Sequence, residues 1–182
     1  MANTNIELDA LIESVINWHI LRYPELPSNS PSTQSLESIR LLCEHILLPV
    51  QQRFGKVQVT YGFTSAKLVN LIRRKNPSGT APELDQHAAS ECNGKGNQIS
   101  KRSGSACDFF VNNSSMADVT RFIVKNLDFD RLYFYAVERP IHISFSEAPM
   151  KHLQIMCNSH SGRRYPGKKA LGEHAILLAG NL

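Results

Sequence analysis

Apolar side chains recur with a helical period in two stretches near the start of the chain. Residues 6–21 carry Leu, Ile and Val three and four positions apart, which predicts an amphipathic helix there. The same spacing predicts a second helix from Ser35 to about Gln52, with Pro49 tightening or kinking its end. Prolines and serines lie between the two stretches and predict a loop.

After position 55 the pattern changes to short segments that alternate or are rich in β-branched residues, mixed with shorter helical ones. Residues 76–104 show no periodicity and predict a long loop, which in a compact domain is functional or disordered. Helices first and a small, mostly antiparallel sheet second indicate the α+β class. The predicted strands cover 56–61, 106–111, 131–137, 141–146 and 151–156, and the later helices cover 65–75 and 115–126.

The length of 182 residues and the 42% hydrophobic content predict a single domain, 1–182, with one core. Within it we distinguish a helical part (1–55), a core part (56–157) and a polar, basic tail (158–182). No apolar run approaches the length of a membrane span, and the first residues lack the pattern of a secretory signal. The expectation is therefore a cytoplasmic protein that does not enter a membrane.

The net charge of +4 is spread unevenly along the chain. Residues 1–50 carry two basic and six acidic side chains, a net −4, whereas residues 51–182 carry 18 basic and ten acidic ones, a net +8. A basic surface on the second part would attract anionic ligands, although a solvated surface of mixed charge explains the same count. Basic and aromatic residues do not interleave as in nucleic-acid-binding modules, so nucleic acid is not the expected partner.

Three residues after position 80 have the chemistry of metal ligands. His142 lies on a predicted strand whose alternate residues are apolar, so it projects from the polar face together with Ser144. His87 lies in the long loop, and Asp108 lies inside an apolar strand, where a carboxylate needs a partner. Two imidazoles and one carboxylate suit a catalytic Zn²⁺, because three protein ligands leave one position open. The alternative is that Asp108 pairs with Arg102 or Arg131.

The order of four motifs resembles the zinc D-alanyl-D-alanine carboxypeptidases, whose fold also occurs in hedgehog signalling domains and some phage endolysins. That family has a strand ending in Gly-aromatic-Arg-Ser, then Ser-x-His-x-x-Gly-x-Ala-x-Asp, then His-Val-Ser-Phe or similar on a later strand. The resemblance spans about residues 57–146. The corresponding segments here are Tyr61-Gly62-Phe63-Thr64-Ser65, Asp85-Gln86-His87, Ser103-Gly104-Ser105-Ala106-Cys107-Asp108 and Ile141-His142-Ile143-Ser144-Phe145.

The chain departs from the family pattern in three places. His87 and Asp108 are 21 residues apart where the family has seven, which indicates an insertion of 14 residues, 89–102, at the rim of the site. Arg139 stands at the usual position of the general base, so Glu138 is the expected catalytic base. Thr64 stands where the family has its carboxylate-binding arginine, and the expected substrate-binding residues are Arg102, Arg139 and Ser144.

The resemblance implies a hedgehog/DD-peptidase-like fold with zinc on His87, Asp108 and His142. The implied activity is hydrolysis of a short peptide, in this family one with D-amino acids as in cell-wall peptides, with a peptide as the partner. The alternative is a catalytically degenerate module, in which the metal stabilises the fold and the surface binds a peptide, a protein or an anionic partner.

Overall fold

The computed structural model describes residues 2–27, 29–76 and 85–182, so part of the predicted loop, 77–84, lies outside the described residues. The helices are α1 (Ala2–Asn17), α2 (Thr33–Leu42), α3 (Leu48–Phe54), α4 (Ala66–Lys75), α5 (Met116–Asn126) and α6 (Glu173–Ala179). The strands are β1 (Val57–Tyr61), β2 (Ser105–Val111), β3 (Arg131–Phe134), β4 (Ile141–Phe145), β5 (His152–Asn158) and β6 (Arg164–Ala170).

The strands form one sheet in the order β1-β2-β4-β3-β5-β6. Its pairs are antiparallel except β3 with β5, which run parallel. The predicted α+β class with a mostly antiparallel sheet is confirmed. Among the described helices, none has the length and apolar character needed to cross a bilayer.

The second predicted helix is continuous but contains a wider turn before its proline. A π-helical turn, Cys43–Leu47, joins α2 to α3, and the backbone N–H of Leu48 donates to the carbonyl of Cys43. A proline ring collides with the carbonyl four residues earlier in a regular helix. The π turn relieves this crowding at Pro49, so the predicted distortion lies just before the proline rather than at the helix end.

The segment 158–182, predicted as a polar, basic tail, contains two ordered elements. Residues Arg164–Ala170 form β6, an edge strand paired with β5, and α6 follows it. Ala175 and Ala179 of α6 are buried in the core. Strand β6 has few apolar residues of its own, so its order comes from pairing with β5, which periodicity does not record.

The segment 89–102 is more regular than the irregular insertion that the sequence predicts. Cys92 and Gln98 form an antiparallel bridge. In the tight turn between them, the Asn93 Oδ1 accepts hydrogen bonds from two backbone N–H groups. Glu91 ties the segment to the start of α2, because its Oε1 accepts from the Ser32 N–H (2.9 Å) and the Ser35 hydroxyl (2.7 Å). The segment is therefore a short hairpin that is anchored at its base.

The core lies between one face of the sheet and the helices. On β4 the side chains of Ile141, Ile143 and Phe145 point into it, as the alternation predicts. On β2 the core side chains are those of Cys107, Phe109 and Val111. The intervening residues of both strands therefore face the opposite side of the sheet, where the candidate site lies.

Candidate functional site

Two of the predicted ligands are cross-strand neighbours. Asp108 of β2 and His142 of β4 are paired Cα partners, and the Asp108 Oδ1 lies 2.9 Å from the His142 Nδ1. Gly104 sets the start of β2, since its φ is +87° and a Cβ there would lie 1.9 Å from the Phe145 carbonyl oxygen. The glycine of the Gly-x-Ala-x-Asp motif thus lets β2 approach β4 closely enough to form this pair.

His87 reaches the same point from a short 3-10 turn, Gln86–Ala88. Its carbonyl accepts from the Thr64 N–H at 2.8 Å, which fixes the turn to the segment after β1. Gln86 anchors the other side, because its Nε2 donates to the Ser103 carbonyl (2.8 Å) and the Asp130 carboxylate (3.0 Å). As a result the His87 Nε2 lies 3.4 Å from the Asp108 Oδ1.

The structure therefore brings His87, Asp108 and His142 together, although 21 and 34 residues separate them in the chain. The two imidazole rings are 4.9 Å apart, with an angle of 63° between their planes. His87 and His142 are 6% and 5% exposed, and the Asp108 side chain is 24% exposed. Asp108 pairs with the histidines, so this geometry disfavours the alternative of a partner in Arg102 or Arg131.

Asp85 belongs to the same cluster and was missed as a site residue by the sequence analysis. Its Oδ1 lies 2.7 Å from the His87 Nδ1 and accepts the His87 backbone N–H at 2.9 Å. Asp85, His87 and His142 each offer a ligand atom within 4.8 Å of the other two. The signal was present in Asp85-Gln86-His87, since a carboxylate that orients a histidine is a usual second layer of a metal site.

The donor set fits a zinc-class ion. The His87 Nε2 is buried and has no hydrogen-bond partner among the described residues, although it faces the Asp108 carboxylate. Because the Asp85 carboxylate accepts a hydrogen bond from the Nδ1–H, Nε2 is the nitrogen that is left to bind a cation. Two imidazole nitrogens and one carboxylate oxygen match the ligands that Zn²⁺ prefers.

The electrostatics of the cluster favour positive charge at its centre. Burial lowers the pKa of His87, but Asp108 and Asp85 outweigh burial and raise it to about 10. Burial raises the pKa of Asp108, but hydrogen bonding to His142 and the charge of His87 outweigh this and hold that pKa well below its usual value. Without a metal, a proton on His87 supplies the positive charge that a bound cation would otherwise supply.

Aromatic and basic side chains flank the cluster on the β3 side. The Tyr133 ring stacks on His142, with ring centres 4.8 Å apart and an angle of 19°. The Tyr133 hydroxyl accepts from the Arg131 Nη1 at 3.2 Å. Burial, followed by the charge of Asp108, raises the pKa of Tyr135 to about 12. A cavity of about 420 Å³ opens in front of them, and its lining includes Asp85, Lys101, Arg102, Arg131, Tyr133 and His142.

Glu138 does not line this cavity. It is exposed in the turn between β3 and β4, and it borders a different cavity with residues 110–116. Residues 137–139 form a turn and β4 begins only at Ile141, so Glu138 does not share an extended strand with His142. The role of Glu138 as catalytic base stays a prediction that this placement does not support.

The three predicted substrate-binding residues fall in different surroundings. Arg102 lines the cavity, and its guanidinium donates to the Met150 sulfur at 2.8 and 3.4 Å. Arg139 is exposed in the same turn as Glu138 and is not among the residues that line the cavity. Ser144 is fully buried, and its hydroxyl accepts the Arg131 backbone N–H at 3.1 Å, so it supports the sheet rather than a substrate.

Comparisons with models of protein families, with curated proteins and with solved structures find no match to this chain. The site is therefore interpreted from its own chemistry.

Proposed function

We propose that this chain is a zinc-dependent hydrolase of short peptides with a hedgehog/DD-peptidase-like fold. The observation that carries the proposal is the contact of one carboxylate, Asp108, with two buried imidazoles, His87 and His142. The His87 Nε2 adds support, because it is buried and faces the Asp108 carboxylate at 3.4 Å, where a cation could bind between the two atoms. The order of the motifs along the chain adds the peptidase class.

His87, Asp108 and His142 are the residues that would hold the metal. A zinc ion supplies a water of lowered pKa and polarises a carbonyl when it is bound. Asp85 holds the His87 proton on Nδ1 and so orients the ring toward Asp108. Tyr133 covers one face of His142 and restricts the rotation of that ring.

Two carboxylates are candidates for the general base. A base must reach the reacting proton directly or through one water. Asp85 lines the cavity with its side chain 43% exposed, whereas Glu138 lies in the exposed turn beyond β3. Asp85 is therefore the better placed of the two, and the substitutions Asp85→Asn and Glu138→Gln separate them by their effect on hydrolysis when each variant is saturated with zinc.

The substrate class follows from the cavity and from the family resemblance. The cavity of about 420 Å³ suits a short peptide better than a folded protein chain. The resemblance adds peptides with D-amino acids, such as cell-wall fragments, and a cytoplasmic enzyme would meet them as precursors or as recycled pieces.

The test begins with zinc content in the purified protein, measured by mass spectrometry. We expect about one zinc per chain in the wild type and loss of most of it in His142→Ala. His160→Ala is the matched control, because His160 is exposed in the turn between β5 and β6. Equal zinc in His142→Ala and the wild type would contradict the site. Incubation with paired L- and D-peptides then tests hydrolysis.

A second candidate is a metal-stabilised binding module. The position of Glu138 and Arg139 in the exposed turn favours it, because neither residue of the family's base region lines the cavity. Zinc-loaded protein that binds peptides but cleaves none of them would select this function over hydrolysis.

A further inference from the structure

Three cationic side chains, those of Arg131, Lys169 and Arg102, act together on His152, which lies across the sheet from the His87–Asp108–His142 cluster. Arg131 of β3 is the Cα partner of His152 on the parallel strand β5. Lys169 of β6 is the partner of Gln154, two residues further along β5. Arg102 approaches from the end of the 89–102 hairpin and lines the cavity with Arg131.

The charges on these three side chains are poorly compensated. Among the described residues, no ion pair within 4.0 Å includes Arg102, Arg131 or Lys169. The Arg131 Nε is buried without a hydrogen-bond partner in that part of the chain, and Arg102 donates to a thioether sulfur, a weak acceptor. Their guanidinium groups therefore retain unused hydrogen-bonding capacity.

The pKa of His152 reflects the charges of these three side chains. Burial, then the charges of Arg131, Lys169 and Arg102, lower the pKa of His152. Asp130 acts in the opposite direction. The Asp130 carboxylate is already engaged, since it accepts from the Gln86 Nε2 (3.0 Å) and the Met150 N–H (3.2 Å). Three cations and one carboxylate therefore act on His152.

Thr64 stands at the position where the resembling family carries its carboxylate-binding arginine, and a threonine carries no charge. Thr64 is fully buried there, its N–H donates to the His87 carbonyl and its hydroxyl donates to the Gly62 carbonyl. It lies after β1, at one edge of the sheet, whereas Arg131 and Lys169 lie on β3 and β6. The cationic side chains therefore belong to other elements than Thr64.

We infer that Arg102, Arg131 and Lys169 form an anion-binding subsite that receives a carboxylate of the substrate. The cavity joins the subsite to the cluster, because Arg102, Arg131 and His142 line the same space. An arginine fork is suited to bidentate pairing with a carboxylate. The binding of an anion requires only these cationic side chains. The assignment of that anion to a substrate rests on the proposed function.

The first experiment titrates metal-free protein with malonate and follows binding by calorimetry. We expect saturable binding, weakened at least tenfold in Arg131→Gln and in Lys169→Gln. Lys168→Gln and Arg74→Gln are matched controls, since Lys168 is the exposed neighbour of Lys169 and Arg74 is exposed in the last turn of α4. Unchanged affinity in Lys169→Gln, which alters an exposed residue and spares the core, would overturn the subsite even if Arg131→Gln misfolds.

The second experiment assigns the source of the carboxylate with zinc-loaded protein and three peptides of one length. One has a free C-terminus, one has a C-terminal amide, and one has the amide and a glutamate side chain. Faster cleavage of the first identifies a terminal carboxylate, and faster cleavage of the third over the second identifies an acidic side chain. Equal cleavage of all three contradicts the substrate role. Malonate binding without any cleavage contradicts the proposed hydrolysis while the subsite stands.

Discussion

At the scale of single residues, a carboxylate in an apolar strand was the most informative signal in the sequence. Asp108 has buried neighbours on both sides, and such a group requires a partner. The structure supplies His142 through strand pairing and His87 through a loop. The alternation of β4 made the direction of His142 predictable. Whether Asp108 would contact arginine or histidine was not, because that depends on the order of the strands.

We expect Asp85→Asn to weaken zinc binding without abolishing it. The carboxylate accepts a hydrogen bond from the Nδ1–H of His87, and loss of such a second-layer partner lowers metal affinity by about 10–100-fold. A competition titration with a fluorescent chelator measures the change. Asp9→Asn, on the exposed surface of α1, is the control. Wild-type affinity in Asp85→Asn would remove Asp85 from the site.

The stability of the metal-free protein should depend on pH through His87. Its pKa rises from 6.5 to about 10 on folding, so its stabilising contribution is fully present below about pH 6.5 and is lost as pH rises through 10. The pKa of Asp108 is lowered, so its contribution is present above about pH 4 and is lost in acid.

Urea unfolding of the metal-free protein at pH 6, 7.5 and 9 measures this effect. We expect the free energy of unfolding to fall across the series, and to fall less in His87→Gln, which lacks the titrating ring. The same slope in both proteins would contradict the pairing of His87 with the two carboxylates.

At the scale of elements, the segment after β1 holds the His87 turn in place through hydrogen bonds to distant parts of the chain. The Phe63 N–H donates to the Val15 carbonyl of α1, and the Thr64 N–H donates to the His87 carbonyl. The Phe63 carbonyl in turn accepts from Trp18 and Asn29. Two consecutive residues, Phe63 and Thr64, therefore join α1, the loop after it and the His87 turn. The Gly62–Ser65 motif was recognisable in the sequence, but these distant partners were not.

Gly62 makes the close approach to α1 possible, and we expect Gly62→Ala to destabilise the protein. A Cβ at this position would lie 2.1 Å from the Val15 carbonyl oxygen, so a backbone segment must shift. Overpacking of this kind costs about 1–3 kcal/mol. We also expect weaker zinc binding, because the shift would move the Thr64 N–H that holds His87.

Chemical denaturation measures the loss, and Gly94→Ala is the matched control. A Cβ at Gly94 would meet nothing within 4 Å. Equal stability of the two variants would show that α1 can move without cost.

At the scale of the whole molecule, the sequence indicated helices followed by a sheet but not the sheet order. Most of the predicted strands and helices lie close to the observed ones, because their periodicity is strong. The parallel pairing of β3 with β5 and the addition of β6 were not predictable, since both depend on long-range pairing. The same pairing places Lys169 opposite Gln154, two residues from His152 on β5, so its part in the subsite could not be read from the linear pattern.

We expect residues 159–182 to be a necessary part of the fold and not a dispensable tail. Removal of residues 159–182 deletes β6 and α6, leaves β5 as an unpaired edge and exposes core that Ala175 and Ala179 cover. We expect this truncated protein to lose cooperative unfolding or soluble expression. Replacement of residues 93–97 by two glycines is the comparison, because it removes the exposed hairpin tip and keeps Glu91 on Ser32 and Ser35. That variant should unfold cooperatively and retain zinc. Cooperative unfolding by the C-terminal truncation would show that β1–β5 form a complete domain, whereas failure of the shortened hairpin would assign its tip a structural role.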